Sequence, residues 1–151
     1  MKITIIVGGR FHAFNLAEQL NKNGYLSQII TSYPKFYLKK NFGINQNKIE
    51  SIILKEIVQR SLLKKIYNFD DMLIKYFDNK AKKLINLENL DILIGWSGFS
   101  LKSFELAKKE KCIKILERGS THIEHQLNIL KEEYEINNLQ PILPSDYVVK
   151  K

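Results

Sequence analysis

The sequence predicts an α/β fold: a Rossmann-like, doubly wound parallel sheet of about five or more strands with helices on both faces. Five short apolar segments alternate with longer amphipathic segments, and this alternation is typical of parallel strands joined by helices. The first segment, 2–7, is an apolar run rich in β-branched residues, as expected for a strand buried on both faces. We therefore expect this strand at the centre of the sheet, between the second and fourth strands.

The first thirty residues predict a βαβ unit. Gly8 and Gly9 end the first strand, and a second strand is expected over 26–31. Between them Gly24 stands where a helix C-cap is expected. The apolar positions of this helix recur at helical spacing: Phe14, Ala17 and Leu20.

The middle of the chain is predicted to contain one strand and two helices. The region 32–47 includes Pro34 and several aromatic residues without periodicity, so we expect a long loop with at most a helical turn. A third strand is predicted over 49–54. From about 56 to 87 an apolar stripe recurs every three or four residues, with a break near Asn68 that predicts two helices.

The last third repeats the alternation. A fourth strand is expected over 91–96, a helix over 101–111 with Ser100 as its N-cap, and a fifth strand over 113–117. A final helix follows, with an apolar face formed by Ile123, Leu127, Leu130 and Tyr134.

The start of this final helix fits a capping box. Thr121 supplies a hydroxyl at the N-cap position, and Glu124 supplies a carboxylate three residues later. We therefore expect the backbone at this turn to be fixed.

Composition restricts the class of protein. The 151 residues suit a single domain over 1–151, and the single cysteine, Cys112, excludes an internal disulfide framework and a cysteine-based zinc site. The net charge is +8, yet only three of the 24 basic residues are arginines. Lysine is typical of solvated surfaces, whereas arginine is preferred where phosphates and bases are bound by two parallel hydrogen bonds. We therefore expect no binding of nucleic acid.

The chain is expected to be cytoplasmic. No apolar run approaches the ~20 residues of a membrane span, and the N-terminus lacks the pattern of a signal peptide. A basic amphipathic region can nevertheless contact anionic lipid, so peripheral contact with the inner face of the membrane is a second expectation. An ordinary solvated surface is the alternative. The lysines concerned are Lys55, Lys64, Lys65, Lys75, Lys80, Lys82 and Lys83.

Three segments are candidates for a ligand site, because ligands of such folds bind beyond the carboxyl ends of the strands. In the first, 8–12, Gly8 and Gly9 would let the backbone approach a ligand, with Arg10 and His12 beside them. The segment matches neither the dinucleotide fingerprint GxGxxG nor a P-loop. The alternative is a tight turn with no ligand.

The second segment, 95–100, reads GWSGFS. Trp96 and Phe99 could stack on a ring, and Ser97 could donate a hydrogen bond. It does not match the nucleophile elbow GxSxG. The alternative is a turn of small residues with Trp96 in the core.

The third segment, 118–122, combines Arg118, Ser120 and His122 beside the start of a helix. A histidine at such a place can bind a hydroxyl or stabilise a developing charge. The alternative is a loop histidine with a structural role. No further ligands support a metal site with His122 and Glu124, and His125 is expected on the helix surface.

Together these segments resemble the N-terminal domain of retaining family 4 glycosyltransferases of the GT-B fold. The resemblance extends from residue 1 to about residue 147 and is carried by GGRFHAFNLAEQLNKNGY, GWSGFSLKSFELAKK and ILERGSTHIEHQLNILKEEYE, the third being the most specific. In that family the N-terminal domain mainly binds the acceptor, and a C-terminal domain binds the nucleotide-sugar donor.

The resemblance implies a role for particular residues. The glycine turn, Gly8 and Gly9, would lie near the donor diphosphate, and His122 would lie near the transferred sugar as the catalytic residue. Substrate contacts would come from Arg10, His12, Trp96, Ser97, Arg118 and Ser120.

The implied function is acceptor binding in the transfer of a sugar, of hexosyltransferase type, to a polysaccharide or a lipid-linked acceptor. The C-terminal donor domain is absent from this chain, which implies a truncated or split protein that is inactive alone. No cofactor or metal is expected, since the nucleotide sugar is a substrate. The alternative function is a non-catalytic, flavodoxin-like binding or partner module.

Overall fold

The fold is an α/β sandwich built on a five-stranded, all-parallel sheet, as predicted. The computed structural model describes residues 1–60, 70–88, 90–119 and 121–140. The strands are β1 (Ile3–Val7), β2 (Leu26–Thr31), β3 (Ile49–Ser51), β4 (Ile92–Trp96) and β5 (Ile113–Glu117). Their order is β3-β2-β1-β4-β5, so β1 is central and its neighbours are β2 and β4. Both expectations for the first strand are confirmed.

The helices between the strands are α1 (Ala13–Lys22), α2 (Lys35–Phe42), α3 (Leu54–Arg60), α4 (Asp70–Leu84) and α5 (Leu101–Leu106). After β5 the chain continues with α6 (Ile123–Ile136). Short 3₁₀ turns occupy Gln46–Lys48 and Ala107–Lys109.

Two cores, one on each face of the sheet, explain why β1 is buried throughout. Ile5 of β1 packs in a cluster with Phe14 of α1 and Leu38 of α2. Its neighbour Ile6 points to the opposite face and packs in a second cluster with Phe77 of α4. Successive side chains of a strand alternate between faces, so helices on both faces bury every position of β1, including Thr4.

Element boundaries in the middle of the chain differ from the predictions. Residues within 32–47 form the eight-residue helix α2 rather than a loop, and Gly43, with φ of +62°, ends it in the left-handed region. The strand predicted over 49–54 ends at Ser51, because Leu54 already begins α3. The predicted break near Asn68 lies outside the described residues.

The N-cap predictions are also corrected. Ser100 stands at the N-cap of α5, but its hydroxyl donates to the carbonyl of Trp96 instead of capping the helix. The final helix begins at Ile123, so its N-cap is His122 rather than Thr121, and the His122 side chain makes no capping hydrogen bond. A capping box counted from Thr121 is therefore one residue out of register.

The carboxylate of Asp78, on α4, caps the N-terminus of α5 in place of the Ser100 hydroxyl. Asp78 is fully buried, and the backbone N–H of Lys102 donates to its Oδ1 at 3.1 Å and its Oδ2 at 3.3 Å. A carboxylate at this end of a helix satisfies an unpaired amide and complements the helix dipole. The contact joins two helices on the same face of the sheet.

We expect Asp78→Ala to destabilise the protein by ~2 kcal/mol, the scale of a buried hydrogen bond to a charged group. Asp78→Asn keeps an acceptor oxygen and should lose less. Urea unfolding followed by circular dichroism measures the difference. Lys82→Ala, an exposed change on the same helix, is the control. Equal stability of Asp78→Ala and Lys82→Ala would contradict the capping role.

Contacts divide the chain into two compact units, Met1–Glu117 and Arg118–Lys151. The first contains the whole sheet and α1 to α5. The second contains α6.

Candidate functional site

The carboxyl edge of the sheet, where all five strands end, is the candidate site. Parallel strands bring their carboxyl ends to one edge, and ligands of such sheets bind there. The loops that follow β1, β2, β3 and β4 belong to the first unit, as does Glu117, the last residue of β5.

Gly8 is a glycine because an aromatic ring occupies the space of a side chain. A Cβ built on Gly8 would lie 2.1 to 2.6 Å from three ring carbons of Phe99. Phe99 in turn packs edge-to-face on Phe77, with ring centroids 5.6 Å apart. Gly8 is buried, so close packing accounts for this glycine without a ligand.

Phe11 is strained and exposed immediately after this turn. Its φ is +36°, in the left-handed region that bulky residues rarely adopt, and 55% of the residue is exposed. A Cβ on Gly9 would lie 2.9 Å from its ring. Strained residues of this kind cluster at functional sites.

A cavity of about 490 Å³, which we call the aromatic cavity, opens beside Arg10. This volume lies within the usual range for small-molecule sites. The residues that line it come from the loops after β1, β2 and β3 and from α2 and α3. They are Arg10, Tyr33, Pro34, Phe36, Tyr37, Ile53, Glu56 and Ile57.

The two tyrosines of the aromatic cavity are held by packing. Their ring centroids are 5.2 Å apart. The ring centroid of Phe14, in the buried core, lies 5.2 Å from that of Tyr33 and 6.4 Å from that of Tyr37. Both tyrosines are half-buried, so each combines a fixed ring with an exposed part. Rings fixed in this way can bind a ligand without first being ordered.

Glu56 places a carboxylate in the wall of the aromatic cavity. Its Oε1 lies 2.7 Å from the hydroxyl of Ser32 and 3.8 Å from Nζ of Lys55. Ser32 Oγ also lies 3.0 Å from the carbonyl of Gly8, so its one hydroxyl hydrogen serves one of these acceptors at a time.

Lys55 is buried, with 5% of the residue exposed, and its Nζ lies 5.3 Å from the centroid of the Phe99 ring. A buried ammonium beside a carboxylate offsets that group's charge. The prediction that Lys55 belongs to a lipid-facing surface is therefore wrong.

Arg10 is the exposed cation of the aromatic cavity. It has no hydrogen-bond or ion-pair partner within the described parts of the chain. An unpaired guanidinium at the edge of a concave, mainly apolar site is available to a carboxylate or phosphate, which it can bind with two parallel hydrogen bonds.

A second group of residues forms beyond β1, β4 and β5. His12 Nε2 lies 3.6 Å from Glu117 Oε2, and its ring centroid is 5.2 Å from that of Trp96. The imidazole is 61% exposed. His12, predicted as a substrate contact, thus has a carboxylate partner and is open to solvent.

Trp96 is only 2% exposed, so its ring has no free face on which a ligand could stack. The structure supports the alternative in which it belongs to the core. Its indole Nε1 has no hydrogen-bond partner among the described residues. Ser97, next in the chain, donates its backbone N–H to the carbonyl of Glu117 at 2.9 Å.

The second unit contains Arg118 and His122. Arg118 Nε donates to the carbonyl of Thr121 at 2.7 Å. His122 is exposed, and its Nδ1 lies 3.8 Å from Glu124 Oε2. Ser120, the third candidate of this segment, lies outside the described residues.

The described ranges contain no group of three or more histidine, cysteine, aspartate or glutamate residues arranged to hold a metal ion. In the same ranges, no helix has the length and apolar character needed to cross a membrane.

Most of the aromatic cavity was not predicted from the sequence. The predicted segments follow β1, β4 and β5, whereas Tyr33 follows β2 and Glu56 follows β3. The same rule, applied to every strand end, would have selected the segment SYPKFY that starts at Ser32.

Comparison with known proteins adds no family to these findings. No protein-family model matches the chain, and no curated protein is significantly similar to it.

Proposed function

We propose that this chain is the acceptor-binding half of a glycosyltransferase that moves a sugar from a nucleotide sugar to a saccharide or a lipid-linked acceptor. The aromatic cavity at the carboxyl edge of the sheet carries this proposal. The sheet itself supports it only in general terms, because one Rossmann-like fold serves many functions.

The lining of the aromatic cavity suits a sugar. A sugar ring has apolar C–H faces, which pack on aromatic rings, and hydroxyl groups, which need hydrogen-bond partners. Tyr33 and Tyr37 supply rings, and Glu56 supplies acceptor oxygens. These groups differ from the glycine turn that the resemblance emphasises.

The donor is proposed to bind mainly to a second domain, with Gly9, Arg10 and His12 facing it from this chain. His122 is proposed to bind a hydroxyl of the transferred sugar or of the acceptor. The nucleotide diphosphate is the leaving group, and no metal or other cofactor is proposed.

Sugar transfer tests the proposal. The chain, alone and together with the polypeptide encoded downstream of it, is incubated with labelled nucleotide sugars and a set of saccharide acceptors. We expect transfer only when both polypeptides are present. We also expect Tyr37→Ala to lower the affinity for the acceptor. Binding of small molecules without transfer from any donor would favour the alternative, a flavodoxin-like binding module.

We also propose peripheral membrane contact through the exposed lysines of α4, which include Lys75, Lys80, Lys82 and Lys83. We expect the protein to float with anionic vesicles more than with neutral ones, and Lys82→Glu with Lys83→Glu to abolish the difference, because both charges reverse. Vesicle flotation measures the recovery. Equal recovery with both kinds of vesicle would mean that these lysines are only solvated. Lys64 and Lys65 lie outside the described residues.

A further inference from the structure

We propose that the aromatic cavity selects a saccharide with an anionic substituent, a carboxylate or a phosphate. This inference specifies the kind of acceptor in the proposed function, and to that extent it rests on the proposed function. The cavity combines three features that no neutral sugar needs together: packed tyrosine rings, a carboxylate that is already partnered, and a guanidinium without a partner among the described residues.

The charge of the cavity favours an anion. Glu56 is the acidic residue of the lining, and the buried Nζ of Lys55, 3.8 Å from its Oε1, offsets its charge. Arg10 therefore leaves the cavity with an excess positive charge. The net charge of +8 adds a long-range attraction for anions over the whole surface.

Position as well as charge points to this ligand. Arg10 shares the lining with Tyr33 and Tyr37, so an anionic group held by the guanidinium would bring the attached ring to the tyrosines. The hydroxyls of that ring would find acceptor oxygens on Glu56. A carboxylate has about four acceptor positions, more than the single hydroxyl hydrogen of Ser32 can fill.

Binding to this chain, with no donor present, tests the inference. Methyl β-glucuronide and methyl β-glucoside form a matched pair that differs at C6, where one has a carboxylate and the other a hydroxymethyl group. Glucose 6-phosphate provides the phosphate arm. Nuclear magnetic resonance titration measures each affinity.

We expect one or both anionic sugars to bind at least about tenfold more tightly than the glucoside, the scale of one hydrogen-bonded charge pair. Whichever of them binds identifies the substituent. Arg10→Gln should remove this preference, so that the anionic sugars and the glucoside bind with similar affinities. Tyr37→Ala should weaken the binding of all three sugars.

Lys39→Gln is the matched control, because it removes one positive charge from an exposed position of α2 outside the cavity lining. Equal affinities of the wild-type chain for the three sugars would overturn the inference. So would equal losses in Arg10→Gln and Lys39→Gln, which would show that only overall charge matters. Since no donor takes part, failure of the transfer assay would count against the proposed function and leave this result standing.

Discussion

His122→Ala is expected to lower turnover about 100-fold in the transfer assay with the donor-binding partner present, the usual scale for one positioned polar group. His122 is the N-cap of α6, and its carbonyl accepts the backbone N–H of Gln126 at 3.0 Å. The backbone is therefore fixed by the helix while the imidazole faces solvent. A hydrogen bond to a sugar hydroxyl should strengthen as charge develops, so the loss should fall on turnover more than on KM.

His125→Ala is the matched control, since it removes another exposed imidazole of the same helix. We expect it to change turnover little. Both variants should keep the wild-type melting temperature, because neither side chain is buried. Full turnover of His122→Ala would assign this histidine a structural role, and so would a loss of activity that follows unfolding.

Gly8→Ala is expected to destabilise the protein by ~1–3 kcal/mol, the usual cost of overpacking a core. The added Cβ would lie 2.1 Å from Cδ1 of Phe99. The ring cannot move away freely, because it packs on Phe77 on one side and has Lys55 Nζ 5.3 Å from its centroid. Thermal and urea unfolding measure the loss.

Gly119→Ala is the control, because no atom of the other described residues, its chain neighbours aside, lies within 4 Å of a Cβ built there. A double-mutant cycle with Phe99→Ala isolates the contact. Gly8→Ala should cost much less in the Phe99→Ala background than in the wild type, since the ring that it meets is gone. The same cost in both backgrounds would mean that Phe99 is not the reason for the glycine.

Much of the fold could be predicted from local sequence patterns. The apolar run of β1 predicted burial on both faces, and Ile5 and Ile6 indeed pack in two different cores. The positive φ of Gly24, +75°, agrees with its predicted place after α1. In each case the signal lies within a few residues, so it is readable from the sequence.

The caps and the loop after β2 were less predictable. Asp78, which caps α5, lies 24 residues before Lys102 in the chain, so no residue near Ser100 in the sequence indicates this cap. Tyr37 and Phe42 of α2 pack against Phe14 of α1, and this packing depends on a partner outside the segment. Sequence periodicity cannot detect contacts of this kind.

The sequence by itself determined the parallel α/β architecture, the order of its elements and the edge of the sheet where a ligand would bind. Tertiary structure alone decided which side chains meet at that edge. It buried Lys55 and Trp96, filled the space at Gly8 with Phe99, and brought Arg10 together with Tyr33, Tyr37 and Glu56. The reason is physical: periodicity reports which face of an element is buried, whereas a site depends on the meeting of loops from different strands.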